Sequence, residues 1–271
     1  MRLFIVRKPI AVASAARLVA VFAFYAAAIS VLVLRFGIVG VRPGMTALAA
    51  SLLVALLAVL LALLAFVRIW RSGAAGAGRA FAGFALAGAL LTPAAYYAGK
   101  AVGAPAINDV TTDFEMPPAF VAAARLRPRD ANSTRYDPVL IARQKRAYPE
   151  IHPLLVDLPP EETRKLVLTL LKERKWQLIA DTPLALPDTQ GRVPVRSPAG
   201  RIEAVTKSLV LGLEDDIAIR LRDEDGRTRV DMRSASRYGR FDFDANAERI
   251  DAFLEDLRTR ALIPISTQSG E

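Results

Sequence analysis

Three transmembrane helices followed by a soluble two-layer α+β domain is the fold class that three observations in this sequence predict. No carboxylate precedes Asp109. Three long uncharged apolar runs fall within that acid-free stretch. Beyond it, apolar periods of two and of 3.6 succeed one another in the order β-α-β-β-β-β-α.

The charge distribution separates the two parts. From Met1 to Ala104 the basic residues are Arg2, Arg7, Lys8, Arg17, Arg35, Arg42, Arg68, Arg71, Arg79 and Lys100, with no Asp or Glu, so the net charge of +9 is carried entirely by this part. From Pro105 onward acidic and basic residues nearly cancel. A nucleic-acid binder places its excess of Lys and Arg on the folded module. Here the excess flanks apolar segments and reads as a topology signal, so no nucleic-acid partner is expected. Cysteine is absent, which excludes disulfides, thiolate metal sites and cysteine nucleophiles.

The apolar runs predict helices at about 18–36, 45–67 and 80–99, each long enough to approach or exceed the roughly 30 Å of hydrocarbon at 1.5 Å per residue. A cleaved signal peptide is the competing account of the first run. Its length exceeds the usual h-region of about 7 to 15 residues and two more spans follow, so an uncleaved anchor is expected. Lys and Arg concentrate before the first run and between the second and third, which places the N-terminus in the cytoplasm. Three crossings then put the domain from 105 to 262 on the extracytoplasmic side of an inner membrane, periplasmic in a diderm host. Gly83 and Ala87 form a small-xxx-small pair, and Thr92-Pro93 marks a kink site. No Asp, Glu, Lys, Arg or His lies inside the apolar runs Leu18 to Leu34, Met45 to Val67 and Ala80 to Gly99, so transport by these helices is not expected.

From 105 to about 149 the chain is rich in Pro, Asn, Asp and Thr with weak periodicity. Short helices are expected from Pro117-Pro118 through Ala124 and over Val139 to Ala147, the latter opened by Asp137-Pro138. The basic stretch Arg125 to Arg146 suits either anionic headgroups or a solvated face. Leu154 to Val156 predicts a strand, Pro159-Pro160-Glu161-Glu162 opens a helix bearing Leu166, Leu170 and Leu171, and Trp176 to Ala180 predicts a second strand. Pro183 to Pro198 reads as a loop. Alternation then predicts a strand from Ile202 to near Gly212, a strand from Ile217 to Arg222, a turn at Asp223-Glu224-Asp225-Gly226, and a strand from Thr228 to Ser236. Asp242 or Asp244 caps a final helix from Ala245 to about Leu262 with Ile250, Phe253, Leu254 and Leu257 on one face. The tail from 263 to 271 is expected to be disordered.

The domain resembles a known bacterial family. Asn108-Asp109-Val110-Thr111-Thr112-Asp113, Pro117-Pro118-x-Phe120, Tyr148-Pro149-x-Ile151, Arg201-Ile202-Glu203-Ala204, Asp215-Asp216 and Arg233-Ser234-x-Ser236-Arg237-x-Gly239, with Asp242, Asn246, Arg249 and Ile250, are similar to the domain of unknown function 1499. The likeness spans Pro105 to Leu262 and implies an envelope protein with an N-terminal membrane anchor. It implies no activity. Members often carry glycine where this chain has Asp244.

Two polar clusters are candidate binding or structural sites. Asn108, Asp109, Thr111, Thr112 and Asp113 offer oxygen ligands but lack the twelve-residue loop with a bidentate glutamate that marks a calcium site. The alternative, which needs no metal, is that these side chains hold an irregular segment through backbone hydrogen bonds. Ser234, Ser236, Arg237, Asp242, Asn246 and Arg249, with Arg240, form the second cluster. It suits an anion or polar headgroup, or a network in which Arg237 or Arg249 pins Asp109, Asp113 or Asp242. His152 is the only histidine and no G-x-S-x-G elbow is present, so neither a serine hydrolase nor a zinc enzyme is supported. The expectation leans away from an enzyme and toward no cofactor and no metal. The favoured reading is a binding module for an apolar or lipid-like ligand held between sheet and helices, or for an envelope partner. The alternatives are a scaffold subunit of an envelope complex and a metal-assisted hydrolase.

Overall fold

The computed structural model describes residues 10–182 and 200–262. The basic residues at 2, 7 and 8, the loop expected over 183–198 and the tail from 263 lie outside them. The described residues divide into two compact units: one holds Leu209–Leu213 and the residues up to Gly103, the other holds the rest from Ala104 onward.

In the first unit the apolar runs fold into α1 (Ala11–Arg35), α2 (Val41–Ser72) and α3 (Ala77–Gly103), each long and apolar enough to cross a membrane. They start earlier than their apolar runs, at Ala11, Val41 and Ala77. Small residues form the contact stripe of each helix: Ala13, Ala16, Ala20, Ala23 and Ala27 on α1, and Ala55, Ala58, Ala62 and Ala65 on α2 are buried. Leucines such as Leu18, Leu53 and Leu60 stay exposed. This inversion of the soluble-protein pattern is what helices packing in an apolar solvent show. Gly83 of α3 is required by packing, since a Cβ there would lie 2.9 Å from the backbone of Ala16 and Arg17.

The second unit is built on six antiparallel strands: β1 (Asp109–Thr111), β2 (Leu154–Val156), β3 (Gln177–Thr182), β4 (Gly200–Lys207), β5 (Glu214–Glu224) and β6 (Arg227–Ser236). Their order is β1-β6-β5-β4-β3. β5 lies along one edge of β6, so β1 and β2 share the other, pairing with Arg233–Ala235 and Thr228–Val230 respectively. The β5–β6 turn is tight because Asp225 and Gly226 both take positive φ, 56° and 82°, and the Gly226 amide donates to Asp223 at 2.9 Å.

Alternation decides which side chains each face of the sheet carries. One face presents Ile202, Ala204, Ile217, Ile219, Leu221, Val230 and Met232 to α6 (Pro160–Glu173) and α7 (Ala245–Ala261). Val167, Leu170 and Leu171 of α6, with Ile250, Phe253 and Leu257 of α7, complete one continuous core. Trp176 stacks on Phe253 with ring centroids 5.3 Å apart. The opposite face carries Glu203, Asp216, Arg220, Asp231 and Arg233. The segment 114–137, with the short α4 (Ala122–Leu126), lies over it, and Phe120 and Ala123 pack on Ala218 and Ala235.

Three expectations are revised. The segment around Asp109 is partly strand. The helix expected from 117 to 124 is displaced to α4, where the buried Glu203 accepts the Val121 and Ala123 amides at its start. The strand expected to reach Gly212 ends at Lys207, because pairing with β5 begins at the Lys207–Glu214 register and the apolar residues after it form the connection. α5 (Val139–Ala147) forms where expected, with the Val139 amide donating to Asp137 at 3.0 Å.

Candidate functional site

The Asn-Asp-Thr segment is bound on every side. Thr112 continues the ladder of β1 through its side chain: its amide donates to the Met232 carbonyl, and its hydroxyl accepts the Met232 amide, both at 2.9 Å. On the other flank, the buried Gln144 acts as a surrogate strand, accepting the Thr111 amide at 3.0 Å and donating to the Thr111 carbonyl at 2.7 Å. The Thr111 hydroxyl donates to the Asp113 carbonyl at 3.2 Å. Asn108 donates to the Gly239 carbonyl at 2.8 Å, and its own carbonyl accepts the Ser236 amide at 2.8 Å.

The two aspartates meet different arginines. Arg233 forks onto Asp109 at 2.9 and 2.6 Å, and also donates to the Pro118 and Thr134 carbonyls. Its guanidinium lies between the rings of Phe120 and Tyr136, 4.5 and 5.3 Å from their centroids. Asp113 receives the Glu115 and Met116 amides on one oxygen and Arg220 and Arg222 on the other. Asp231 shares those two arginines and adds Arg229. Farther along the same face, Asp216 takes both Arg127 and Arg237, and Arg237 also reaches Glu214.

Ser234, Ser236, Asn246 and Arg249 lie on the helical side of the sheet. Ser234 donates to Asn246 at 2.7 Å, Asn246 donates to Ser236 at 3.1 Å, and Arg249 reaches Ser234 at 2.7 Å and Asp215 at 2.6 Å. Asp242 accepts the amides of Asp244 and Asn246, so it ties down the start of α7. Asp244 has φ +76°, in the left-handed region that glycine adopts without strain, and its carboxylate accepts the Tyr148 hydroxyl at 2.8 Å. The expected pairing of Arg237 or Arg249 with Asp109, Asp113 or Asp242 is therefore replaced. Arg237 and Arg249 hold Asp216 and Asp215, and the partners of Asp109 and Asp113 are Arg233, Arg220 and Arg222.

Burial pushes the Asp109 carboxyl above its ordinary value, against the pull of Arg233, and burial likewise raises Asp242. For Asp113 burial works upward but is outweighed by the Met116 amide, Arg220, the Glu115 amide and Arg229, so its carboxyl is held below the ordinary 3.8. A lowered pKa contributes stability that is complete above 3.8 and is lost as pH falls below it, because the unfolded chain protonates first. Asp113→Asn is expected to cost roughly 1–3 kcal/mol at neutral pH and to flatten the acid limb of stability below that value. Denaturant unfolding followed by Trp176 fluorescence between pH 3 and 7 measures it; an unchanged acid limb contradicts this assignment.

Both oxygens of Asp109 and both of Asp113 are thus occupied by protein donors. They form no open ligand set for a metal-assisted hydrolase. His152 is exposed. The layer between sheet and helices is filled by Ile107, Ile217, Ile219, Ile250, Phe253 and their neighbours. Open space lies elsewhere, in a cleft of about 320 Å³ where β1, the 132–143 segment and the end of β6 converge. Asn108, Asn132 and Ser236 line it, with Asp109, already taken by Arg233, and Asp137, which accepts the Val139 amide, and Arg135, Arg143 and Arg240 are exposed around it. Asn132 is held by two donations, to the Ser236 and Gly239 carbonyls at 3.0 and 2.8 Å. Among the described residues these three arginines make no ion pair; Arg143 has only a long bond to the Ala106 carbonyl at 3.4 Å.

Sequence reasoning reached Asn108, Ser236 and Arg240, and took Arg135 and Arg143 only as part of the basic stretch Arg125 to Arg146; it missed Asn132, which sits in a stretch without periodicity. It also missed Gln144, Glu203 and Asp231. For Gln144 the available signal was its place four residues after Leu140 on the apolar face of α5; Glu203 and Asp231 alternate with arginines and read as a solvated face. A family described as Protein of unknown function (DUF1499) matches residues 109–257, more than half of the chain. No curated protein and no solved structure matches it.

Proposed function

The chain belongs to the DUF1499 family, and from the cleft that its matched region builds we propose that it is a membrane-anchored binding protein for an anionic, polar ligand. The three apolar helices are read as spans with the N-terminus in the cytoplasm, which puts the α+β domain on the extracytoplasmic side. The observation that carries the reading is the set of three arginines around the cleft, Arg135, Arg143 and Arg240, none of them ion-paired among the described residues. The buried and half-buried arginines of the sheet, such as Arg220, Arg233, Arg237 and Arg249, are matched to carboxylates, whereas exposed Arg125, Arg129, Arg146 and Arg227 are also without an ion pair among the described residues; what sets the cleft apart is that three such arginines converge on it. Unmatched guanidinium forks beside fixed amide and hydroxyl groups suit a phosphate or carboxylate. The filled core favours this class of ligand over an apolar one.

The test uses the full chain in detergent. Native mass spectrometry is expected to find a retained anionic species, or added inorganic phosphate, that is lost as salt rises. The triple substitution Arg135→Gln, Arg143→Gln and Arg240→Gln is expected to weaken binding by at least about tenfold, since each charge-assisted hydrogen bond contributes about 1.5–3 kcal/mol. Equal retention by the triple variant, or an uncharged retained molecule, overturns the proposal.

A further inference from the structure

The connection from β4 to β5 is Ser208-Leu209-Val210-Leu211-Gly212-Leu213, a run without charge at the tip of a hairpin. Hairpin tips in water normally carry polar turn formers, as Asp223-Glu224-Asp225-Gly226 does at the other end of β5. Here Leu209 is 86% exposed and Val210 63% exposed. Immediately behind the tip, Lys207 and Glu214 pair at 3.0 Å and close the neck with charge. An apolar tip on a charged neck is the polarity order of a segment seated at a membrane surface, with apolar groups in the acyl region and ions at headgroup level.

We infer that the β4–β5 hairpin is a membrane-dipping loop, with Leu209 and Val210 inserted among lipid chains. The inference rests on the reading of α1–α3 as spans. It gives the domain a lipid attachment besides its chain connection to α3.

The absence of cysteine makes the test direct. Leu209→Cys, Val210→Cys and Glu224→Cys are each labelled with a polarity-sensitive fluorophore in the full chain. The protein is then reconstituted in phosphatidylcholine–phosphatidylglycerol vesicles that carry acyl-chain spin labels. Glu224 lies at the far end of β5, roughly 30 Å from the tip at about 3.3 Å per residue. The expected result is a blue-shifted emission and at least threefold stronger lipid quenching at 209 and 210 than at 224. Quenching at 209 no greater than at 224, with free access to aqueous iodide, overturns the inference. Shielding from iodide without lipid quenching also overturns it, because protein then covers the tip. Leu56→Cys in the middle of α2 separates the two readings: if it is quenched while 209 is not, only the loop inference fails. If neither is quenched, the spans themselves are wrong.

Discussion

Asp109→Ala is expected to lower the unfolding free energy of the α+β domain by about 3–5 kcal/mol, a large share of the roughly 5–15 kcal/mol typical of a whole domain. The reason lies in what remains. Arg233 keeps a side chain only 3% exposed, and without Asp109 its charge is left between Phe120 and Tyr136 with two carbonyls as its remaining acceptors. The loss is dominated by the stranded cation, so the intact pair need not contribute that much. Replacing both partners, Asp109→Leu with Arg233→Met, is therefore expected to recover more than half of it. Equilibrium unfolding of the full chain followed by Trp176 fluorescence provides the measurement. A single-variant loss below about 1 kcal/mol, or a double variant no better than the single, contradicts the account.

Asp216→Ala is expected to be as severe, again about 3–5 kcal/mol, for a related but distinct reason. Asp216 is fully buried and serves two guanidinium groups at once, Arg127 and Arg237, whose side chains are 4% and 5% exposed. Glu214 remains as a second partner for Arg237, but nothing comparable remains for Arg127, whose other acceptors are the Asn132 and Ser133 carbonyls. Arg127→Met on the Asp216→Ala background is thus expected to restore stability further than Arg237→Met does. The reverse order shows that Arg237 bears the larger share.

Most regular elements were legible in the sequence because their signals are local. Thr228 to Ser236 alternates, Asp223 to Gly226 is a sufficient turn, and Asp137-Pro138 starts α5. β1 was not legible: three residues are too few for a period, and its ladder is formed with residues more than a hundred positions away. The overlong reading of β4 has the opposite cause, since Leu209 to Leu213 prolongs an apolar pattern past the point where pairing turns back. The candidate site was half legible. Ser234, Ser236, Arg237, Asn246 and Arg249 were recognised as polar residues close in sequence, yet neighbours on a strand point to opposite faces. Ser234 and Ser236 therefore join Asn246 and Arg249 on the helical side, while Arg233 and Arg237 join Asp109 and Asp216 on the other. Pairings such as Asp109 with Arg233 are tertiary facts that no short window contains.

The register that joins Asp109 to Ala235 has a consequence for biosynthesis. The first strand of the domain leaves the ribosome more than 120 residues before the strand it must pair with. At about 5–20 residues per second, it waits for several seconds or longer with its polar groups unmatched. Long-range closure of this kind is entropically late and kinetically slow. The half-edge of β6 that β1 covers is therefore the last part of the sheet to be sealed, and the place where a stalled nascent chain is most open to a chaperone or to another strand.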